Sequence, residues 1–205
     1  MLLTRREAEE ILNWAHGQNP GSWAAHCRVC ARAAELIARK CGLDAERAYI
    51  SGLLHDVGYY SYKDGKGEVS HIYAGYKLMA GKGHEAIARI CLSHSFPGSC
   101  RDIKFLTGSD VNWTDDGLAV LNKFLAGAEY DDYDKLVQLC DAIVIPQGVV
   151  MIEKRLIDVT RRHGFTDFTV EKWGAYFALK DYFDGKCGIN IYNLFYDEIK
   201  ASIFG

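Results

Sequence analysis

The sequence predicts an all-α fold, and three observations support this class. The 205-residue chain contains only three prolines, while Ala, Leu, Glu, Lys and Arg, which have high helix propensity, are plentiful. Apolar residues recur at spacings of three and four along most of the chain, as expected for amphipathic helices. Strict alternation of apolar and polar residues between turn signals does not stand out, so no β-hairpin is predicted.

The predicted helices follow one another along the chain, with longer loops at 58–67 and 99–115. Thr4 and Glu7 have the spacing of a capping box at the start of the first helix, and Ser22 and Asp44 are placed to cap the second and third. In chain order the predicted helices cover about 4–16, 22–42, 44–56, a stretch from 70, a stretch from 83 to Pro97, 116–124, 135–145, 147–163, 170–183 and 190–204.

The bulk composition indicates one folded domain. Hydrophobic residues make up 49% of the chain, which is enough for a sizeable core. The net charge of -3 argues against binding to a nucleic-acid polymer, which normally requires a basic face. Seven cysteines, mostly within apolar helical patterns, fit free thiols in a reducing compartment better than a disulfide framework. Because neither a signal-peptide core nor a membrane-spanning run is found, we expect a cytoplasmic protein that does not associate with a membrane.

The strongest chemical signal lies between Ala48 and Gly58. An apolar, helix-patterned run leads into His55 and Asp56, and Gly58 follows two residues later. Imidazole nitrogens and carboxylate oxygens are both good metal ligands. Burying the Asp56 carboxylate without a partner would be costly, so a cation is expected beside it.

Four further potential ligands lie on apolar helical faces: His26, His71, His94 and Asp141. Each alone is weak evidence, because a histidine in a core is more often only hydrogen-bonded. Together with the His55–Asp56 pair they form an ordered set, and their helix faces carry no lysine or arginine to neutralise the two carboxylates. Mixed imidazole and carboxylate ligation favours Fe, Mn, Co, Ni or Mg over a structural Zn site. The whole set would serve two ions bridged by Asp56.

Basic residues near these ligands are candidates for binding phosphate. The four candidates are Lys63, Lys66, Arg101 and Lys104. For each of them a solvated surface side chain is an equally open alternative. The glycine-rich loop from Gly58 to Gly67 is a candidate lid over a substrate, or only a connector. The basic residues 153–155 and 161–162 are interpreted as a solvated helix face, and His163 as a surface histidine.

The ligand order His26, His55-Asp56, His71, His94, Asp141 resembles the HD-domain superfamily of metal-dependent phosphohydrolases. The similarity covers roughly residues 22–146, and the segments 51–58 and 139–142 are its most specific parts. The resemblance implies an HD-domain helical bundle at 22–146, extended by C-terminal helices at 147–205, within a single domain of residues 1–205. His71 and His94 match the dinuclear branch, which includes bacterial hydrolases of diadenosine tetraphosphate.

The resemblance and the ligand set predict a metal-dependent phosphohydrolase with one or two divalent ions. Asp56 is the candidate catalytic residue, and the expected substrate is a nucleotide or another small phosphorylated compound. Two alternatives remain open: a non-catalytic regulator whose HD core senses a metal or nucleotide, and an HD-type di-iron oxygenase, which uses the same ligand order.

Overall fold

The computed structural model of the chain describes residues 3–62, 69–106 and 112–204. Within these ranges the chain is almost entirely helical, which confirms the predicted all-α class. The α-helices are α1 (Arg5–Gln18), α2 (Trp23–Lys40), α3 (Ala45–Leu54), α4 (His71–Gly81), α5 (Glu85–Ser93), α6 (Asp115–Gly127), α7 (Asp132–Ile143), α8 (Ile152–His163), α9 (Thr169–Cys187) and α10 (Tyr196–Phe204). Between them lie 3-10 helices at Val57–Ser61, Ile103–Phe105 and Ile191–Phe195 and the strands β1 (Val144–Ile145) and β2 (Gly148–Val149). None of the helices in these ranges is long and apolar enough to cross a membrane.

Capping side chains explain where the first helices begin. The Thr4 side chain accepts a hydrogen bond from the backbone of Glu7, whose carboxylate accepts one from the Thr4 backbone, so the predicted capping box is confirmed. Asp44 accepts two hydrogen bonds from N–H groups in the first turn of α3, also as predicted. Ser22 precedes α2 but makes no side-chain capping hydrogen bond, so the prediction for this residue is wrong.

Close packing of α2 against α3 brings two parts of the site together. A Cβ atom built on Gly52 would lie 2.9 Å from the Cα atom of Ala31. A larger side chain at this position would force the two helices apart. His26 lies on α2 and His55 follows α3, and their ring centroids are 5.4 Å apart. Gly52 therefore sets the distance between these two histidines.

The C-terminal helices share a hydrophobic core with the helices that precede them. This core contains Ile37 of α2, Leu139 of α7, Phe183 of α9 and Phe195, all of them buried. A second core joins α1, α2, α3, α4 and α5. The division into a core at 22–146 and an extension at 147–205 stays a prediction.

The connection after α7 differs from the prediction. The sequence predicts helices over 135–145 and 147–163, but α7 ends two residues earlier, at Ile143, and α8 begins five residues later, at Ile152. An antiparallel ladder with two residues in each strand lies between them. Pro146 accounts for the break because it lacks an N–H group and disfavours helical conformation in the residue before it. The last predicted helix, 190–204, begins instead as a 3-10 helix.

Candidate metal centre

The six predicted ligands come from five different helices and meet at one place. Asp56 and two of the histidines lie where helices end: His55 and His94 are the C-terminal caps of α3 and α5, and Asp56 follows His55 directly. His71 is the first residue of α4, while His26 and Asp141 lie within α2 and α7.

Asp56 stands at the centre of the group. Its Oδ1 atom lies 3.1 Å from Nε2 of His71 and 3.2 Å from Nε2 of His94. Its Oδ2 atom lies 3.4 Å from Nε2 of His55. The donor atoms form two triplets, Asp56 with His71 and His94 and Asp56 with His26 and His55, each with all atoms within 4.8 Å of one another. Asp56 therefore belongs to both.

These separations fit shared coordination of an ion. Two ligand atoms, each about 2.1 Å from a metal and at right angles to each other, lie about 3.0 Å apart. The Nε2 atom of His55 is buried and makes no hydrogen bond within the described part of the chain. A buried ring nitrogen in this state is costly unless something else binds it. The residues present therefore fit a divalent metal ion with nitrogen and oxygen ligands.

Backbone carbonyl groups orient two of the rings. Nδ1 of His55 lies 2.7 Å from the carbonyl oxygen of Gly52, and Nδ1 of His94 lies 2.9 Å from that of Cys91. A ring that donates its Nδ1–H to a carbonyl presents the lone pair of Nε2, which is the form that binds a metal. In both histidines this nitrogen faces Asp56.

Stacking supports a third ring. The ring of Tyr59 lies nearly parallel to that of His71, with the centroids 4.3 Å apart and an angle of 7° between the planes. Tyr59 belongs to the 3-10 helix that follows Asp56. This short segment is therefore joined directly to one candidate ligand, Asp56, and packs against another, His71.

The charges of the group favour a cation beside Asp56. Burial would raise the pKa of Asp56, but the positive charges of His55 and His71 outweigh it and hold this pKa well below its usual range. Burial likewise opposes protonation of His55, yet the Asp56 carboxylate raises the pKa of His55 well above its usual value. A bound metal ion would take over from these positive charges in neutralising the Asp56 carboxylate.

Asp141 has different surroundings from those predicted. Its Oδ1 atom lies 2.9 Å from Nε2 of His26 and 3.7 Å from Nη2 of Arg155, and its side chain is 20% exposed. The ligand-bearing helix faces are predicted to carry no lysine or arginine, and the basic side chain near this carboxylate comes instead from another helix. Arg155 comes from α8, so the residue pattern of α7 itself carries no sign of it.

A cavity of about 170 Å³ opens from the ligand group towards the C-terminal helices. Asp56, His71, His94 and Asp141 line its inner end. Its walls include Arg155, Val159, Arg162 and His163 of α8 and Thr169, Lys172, Trp173 and Tyr176 of α9. The interpretation of 153–155 and 161–162 as a solvated face is thus wrong for Arg155, whereas Arg162 is exposed as predicted and also borders the cavity. Sequence reasoning missed these cavity residues, because the helical spacing of 155, 159 and 162 places them on one face of α8 but does not show what that face packs against.

The predicted phosphate-binding residues are placed differently. Lys63 and Lys66 lie outside the described residues, as does most of the candidate lid. Arg101 donates from Nε to the carbonyl oxygen of Gly98 at 3.2 Å and from Nη1 to that of Ala128, so its guanidinium group holds a turn to the loop after α6.

Lys104 lies beside aromatic rings that border the cavity. Its Nζ atom is 4.7 Å from the ring centroid of Phe168 and 5.3 Å from that of Phe105, and both rings line the cavity. The substrate-binding roles of Lys104, Arg101, Lys63 and Lys66 stay predictions.

Comparison with known proteins places the chain in a family. Neither a curated protein nor a solved structure was found to match it. Residues 23–144 match the family model of the HD domain, a stretch that covers more than half of the chain and contains all six candidate ligands. The chain therefore belongs to the HD domain family.

Proposed function

We propose that the chain is a metal-dependent phosphohydrolase of the dinuclear branch, acting on a phosphoester or phosphoanhydride of a nucleotide or another small phosphorylated compound. The observation that carries this proposal is the sharing of Asp56 between two triplets of donor atoms at the inner end of a cavity. The HD domain family, which consists mostly of metal-dependent hydrolases, supports the same reaction class.

The ligands divide between two ion positions. His26, His55, Asp56 and Asp141 would hold one ion, and Asp56, His71 and His94 the other. Ions of this kind, when bound, polarise a phosphoryl oxygen and make hydroxide available near neutral pH. Asp56 is the proposed catalytic residue, because both ion positions depend on its carboxylate.

Arg155 is the side chain that we assign to the scissile phosphate. It lines the cavity beside Asp141, and its side chain is only 18% exposed. Its contacts with the carboxylates of Asp141 and Asp158 are 3.7 Å and 3.6 Å long, which is beyond normal hydrogen-bond length. The guanidinium group therefore keeps donors for a phosphate, which it can bind through two parallel hydrogen bonds.

Lys172 adds a second positive charge to the cavity lining. It lines the same cavity from α9, and its Nζ atom donates a hydrogen bond to the carbonyl oxygen of Phe105 at 3.0 Å. With Arg155 on α8, the cavity presents cations from two helices that lie outside the part of the chain matched by the HD domain.

Metal analysis followed by a substrate screen tests the proposal. The purified protein would be analysed for bound metals, reconstituted with Mn, Fe, Co, Ni or Mg, and assayed for phosphate release from nucleotides and sugar phosphates. We expect turnover that requires the metal and is lost in Asp56→Ala, while His16→Ala, which changes a histidine outside both triplets, keeps it.

The alternatives give different results in the same experiment. Metal or nucleotide binding without phosphate release from any compound would contradict the proposal and indicate a regulator. Oxygen consumption by the reduced di-iron form, without phosphate release, would indicate an oxygenase.

A further inference from the structure

We propose that Cys41 and Cys187 form an oxidation site, at which a peroxide converts the two thiols into a disulfide bond that joins the end of α2 to the end of α9. The inference concerns a part of the molecule away from the metal ligands, and it does not rest on the proposed hydrolase activity.

The two thiols meet where their helices end. Cys41 is the C-terminal cap of α2, and Cys187 is the last residue of α9. Both Sγ atoms donate to the carbonyl oxygen of Ile37, at 3.0 Å from Cys41 and 3.8 Å from Cys187. A hydrogen bond also joins the two thiols. A disulfide requires a sulfur–sulfur distance of about 2.05 Å, which thiols already in contact can reach through small side-chain rotations.

Access from solvent distinguishes this pair from the other cysteines. Cys41 is half-buried, whereas the other six cysteines are all buried. Cys30 and Cys140 also share a hydrogen bond, but neither has any exposed surface. Oxidation of a cysteine depends on its accessibility as well as on its thiolate character. A peroxide can therefore reach Cys41 from solvent, while the second pair is protected by the core.

The two thiols take different roles in the reaction. Burial and the hydrogen bond with Cys41 raise the pKa of Cys187 to about 12, so the Cys187 thiol stays protonated near neutral pH. Cys41, the more accessible of the two, is the thiol that the peroxide oxidises first. Lys186 is close enough to Cys41 for an electrostatic interaction, and a nearby positive charge favours the reactive thiolate.

The reaction consumes one peroxide and releases two water molecules. The Cys41 sulfur attacks one peroxide oxygen, the O–O bond breaks, and the departing oxygen leaves as water with the proton from the Cys41 thiol. The product is a sulfenic acid at Cys41. The Cys187 sulfur then attacks the Cys41 sulfur, the S–O bond breaks, and the hydroxyl group leaves as water with the proton from the Cys187 thiol. The two sulfurs are oxidised by two electrons in total, which the peroxide accepts.

The disulfide would fix α9 at the end that lies away from the metal ligands. Tyr176 lines the cavity, and Cys187 follows it by eleven residues on the same helix, or about 16.5 Å at a rise of about 1.5 Å per residue. Neither Cys41 nor Cys187 lines the cavity or belongs to the triplets of metal ligands. We therefore expect oxidation to stabilise the fold and to leave the metal content unchanged.

Treatment of the full chain with hydrogen peroxide tests the proposal. Free thiols would then be blocked, the protein digested without reductant, and the peptides identified by mass spectrometry. We expect a pair of peptides linked through Cys41 and Cys187, which dithiothreitol separates, while Cys30 and Cys140 remain free thiols. The melting temperature should rise by roughly 5–15 °C on oxidation, as for a disulfide that closes a long loop, and return to its original value on reduction.

Serine variants separate this pair from the other cysteines. Cys41→Ser and Cys187→Ser should each abolish the cross-link and the rise in melting temperature, whereas Cys100→Ser, which changes a buried cysteine outside the pair, should keep both. In Cys187→Ser the oxidised Cys41 has no partner, so dimedone should label its sulfenic acid.

Three results in the treated wild type would overturn the inference. These are recovery of Cys41 and Cys187 as free thiols, oxidation of the two without a bond between them, and a cross-link from either of them to another cysteine or to a second chain. A cross-link that persists in Cys187→Ser would overturn it as well.

Discussion

The Nε2 atoms of His71 and His94 lie 3.2 Å apart, although the two histidines belong to different helices. Both atoms also lie within 3.2 Å of the same oxygen of Asp56. A metal ion beside this oxygen would be within reach of both Nε2 atoms, each of which can bind a metal through its lone pair. The arrangement therefore supports the assignment of the second ion position to these three side chains.

Removing one of these histidines should affect one ion. In His71→Ala or His94→Ala we expect the metal content to fall from about two ions per chain to about one, because a position with three ligands loses one of them. Asp56→Ala should abolish metal binding, because both positions share its carboxylate, and His55→Ala should empty the position that it shares with His26. Elemental analysis measures this, with His16→Ala as the control. Unchanged metal content in His55→Ala would show that the assignment is wrong.

Chelation should lower the melting temperature. At a free metal concentration about 100-fold above the dissociation constant, binding stabilises the folded state by about 2.7 kcal/mol. For a chain of this length, that corresponds to a fall of roughly 5–10 °C when the metal is removed. His26 and Arg155 still contact Asp141 without metal, so we expect a destabilised fold and not complete unfolding.

Differential scanning fluorimetry with and without chelator measures this shift. Asp56→Ala provides the control, because a variant that binds no metal should melt at the same temperature in both conditions. The same melting temperature for the wild type with and without chelator would contradict the prediction.

Much of the fold is predictable because its signals are local. The capping box at Thr4 involves residues three apart in the sequence, and Asp44 caps the helix that it precedes. The ladder at 144–149 is different, because each strand has two residues and is too short for a period of two to appear. Pro146 shows that a helix must break there but not what replaces it.

The candidate site also has one part that the sequence reveals and another part that it does not. Its ligands are recognisable because their residue types and order are written in the sequence, and because His55 and Asp56 are adjacent. The neighbours of Asp141 depend on how α8 packs against α7, which no residue pattern within either helix reveals. Arg155 and Arg162 therefore look like surface residues until the helices are in place.

Arg155→Ala should weaken substrate binding without removing the metals. Loss of a charge-assisted contact to phosphate is worth about 1.5–3 kcal/mol, so we expect kcat/KM to fall roughly 10- to 100-fold. Arg155→Lys should recover part of it, since it restores charge but not the paired hydrogen bonds. Steady-state kinetics and metal analysis test this on the best compound from the screen.

The neighbouring Lys154 provides the control for Arg155. Its Nζ atom donates to the backbone of Ser202 at the surface, away from the cavity, so Lys154→Ala should keep wild-type kinetics. Wild-type kinetics in Arg155→Ala as well would contradict the phosphate-binding role.

Asp134 should help to hold His94 in place through a hydrogen bond with the residue that precedes it. Its fully buried carboxylate accepts hydrogen bonds from Arg89 at 2.7 Å and from the hydroxyl of Ser93, the residue before His94, also at 2.7 Å. Asp134→Ala leaves both donors without this acceptor, so we expect a loss of roughly 3 kcal/mol in the free energy of unfolding. Urea denaturation measures it.

A nearby aspartate that is less buried tests whether the burial of Asp134 causes the expected loss of stability. Asp132 pairs with Lys186 at 2.9 Å near the surface, where its side chain is 24% exposed. Asp132→Ala should cost less than about 1 kcal/mol. Equal losses in Asp132→Ala and Asp134→Ala would contradict this account.

Gly58→Ala should disturb the site through the backbone. A Cβ atom at Gly58 would lie 1.8 Å from the carbonyl oxygen of His71 and 2.5 Å from the backbone nitrogen of Gly75. These are backbone atoms of α4, so they cannot turn aside as a flexible side chain would. The 3-10 helix that follows Asp56 must therefore move away from α4, which separates Asp56 from His71.

We expect Gly58→Ala to lower the free energy of unfolding by about 1–3 kcal/mol, as overpacking does, and to reduce the metal content. The matched control is Gly17→Ala in α1, where a built Cβ meets no atom within 4 Å. Because alanine has the higher helix propensity, that variant should be as stable as the wild type or up to about 1 kcal/mol more stable. Thermal melts of both variants measure the change in stability, and elemental analysis measures the metal content. Wild-type stability and metal content in Gly58→Ala would show that the contact between the 3-10 helix and α4 does not position the ligands.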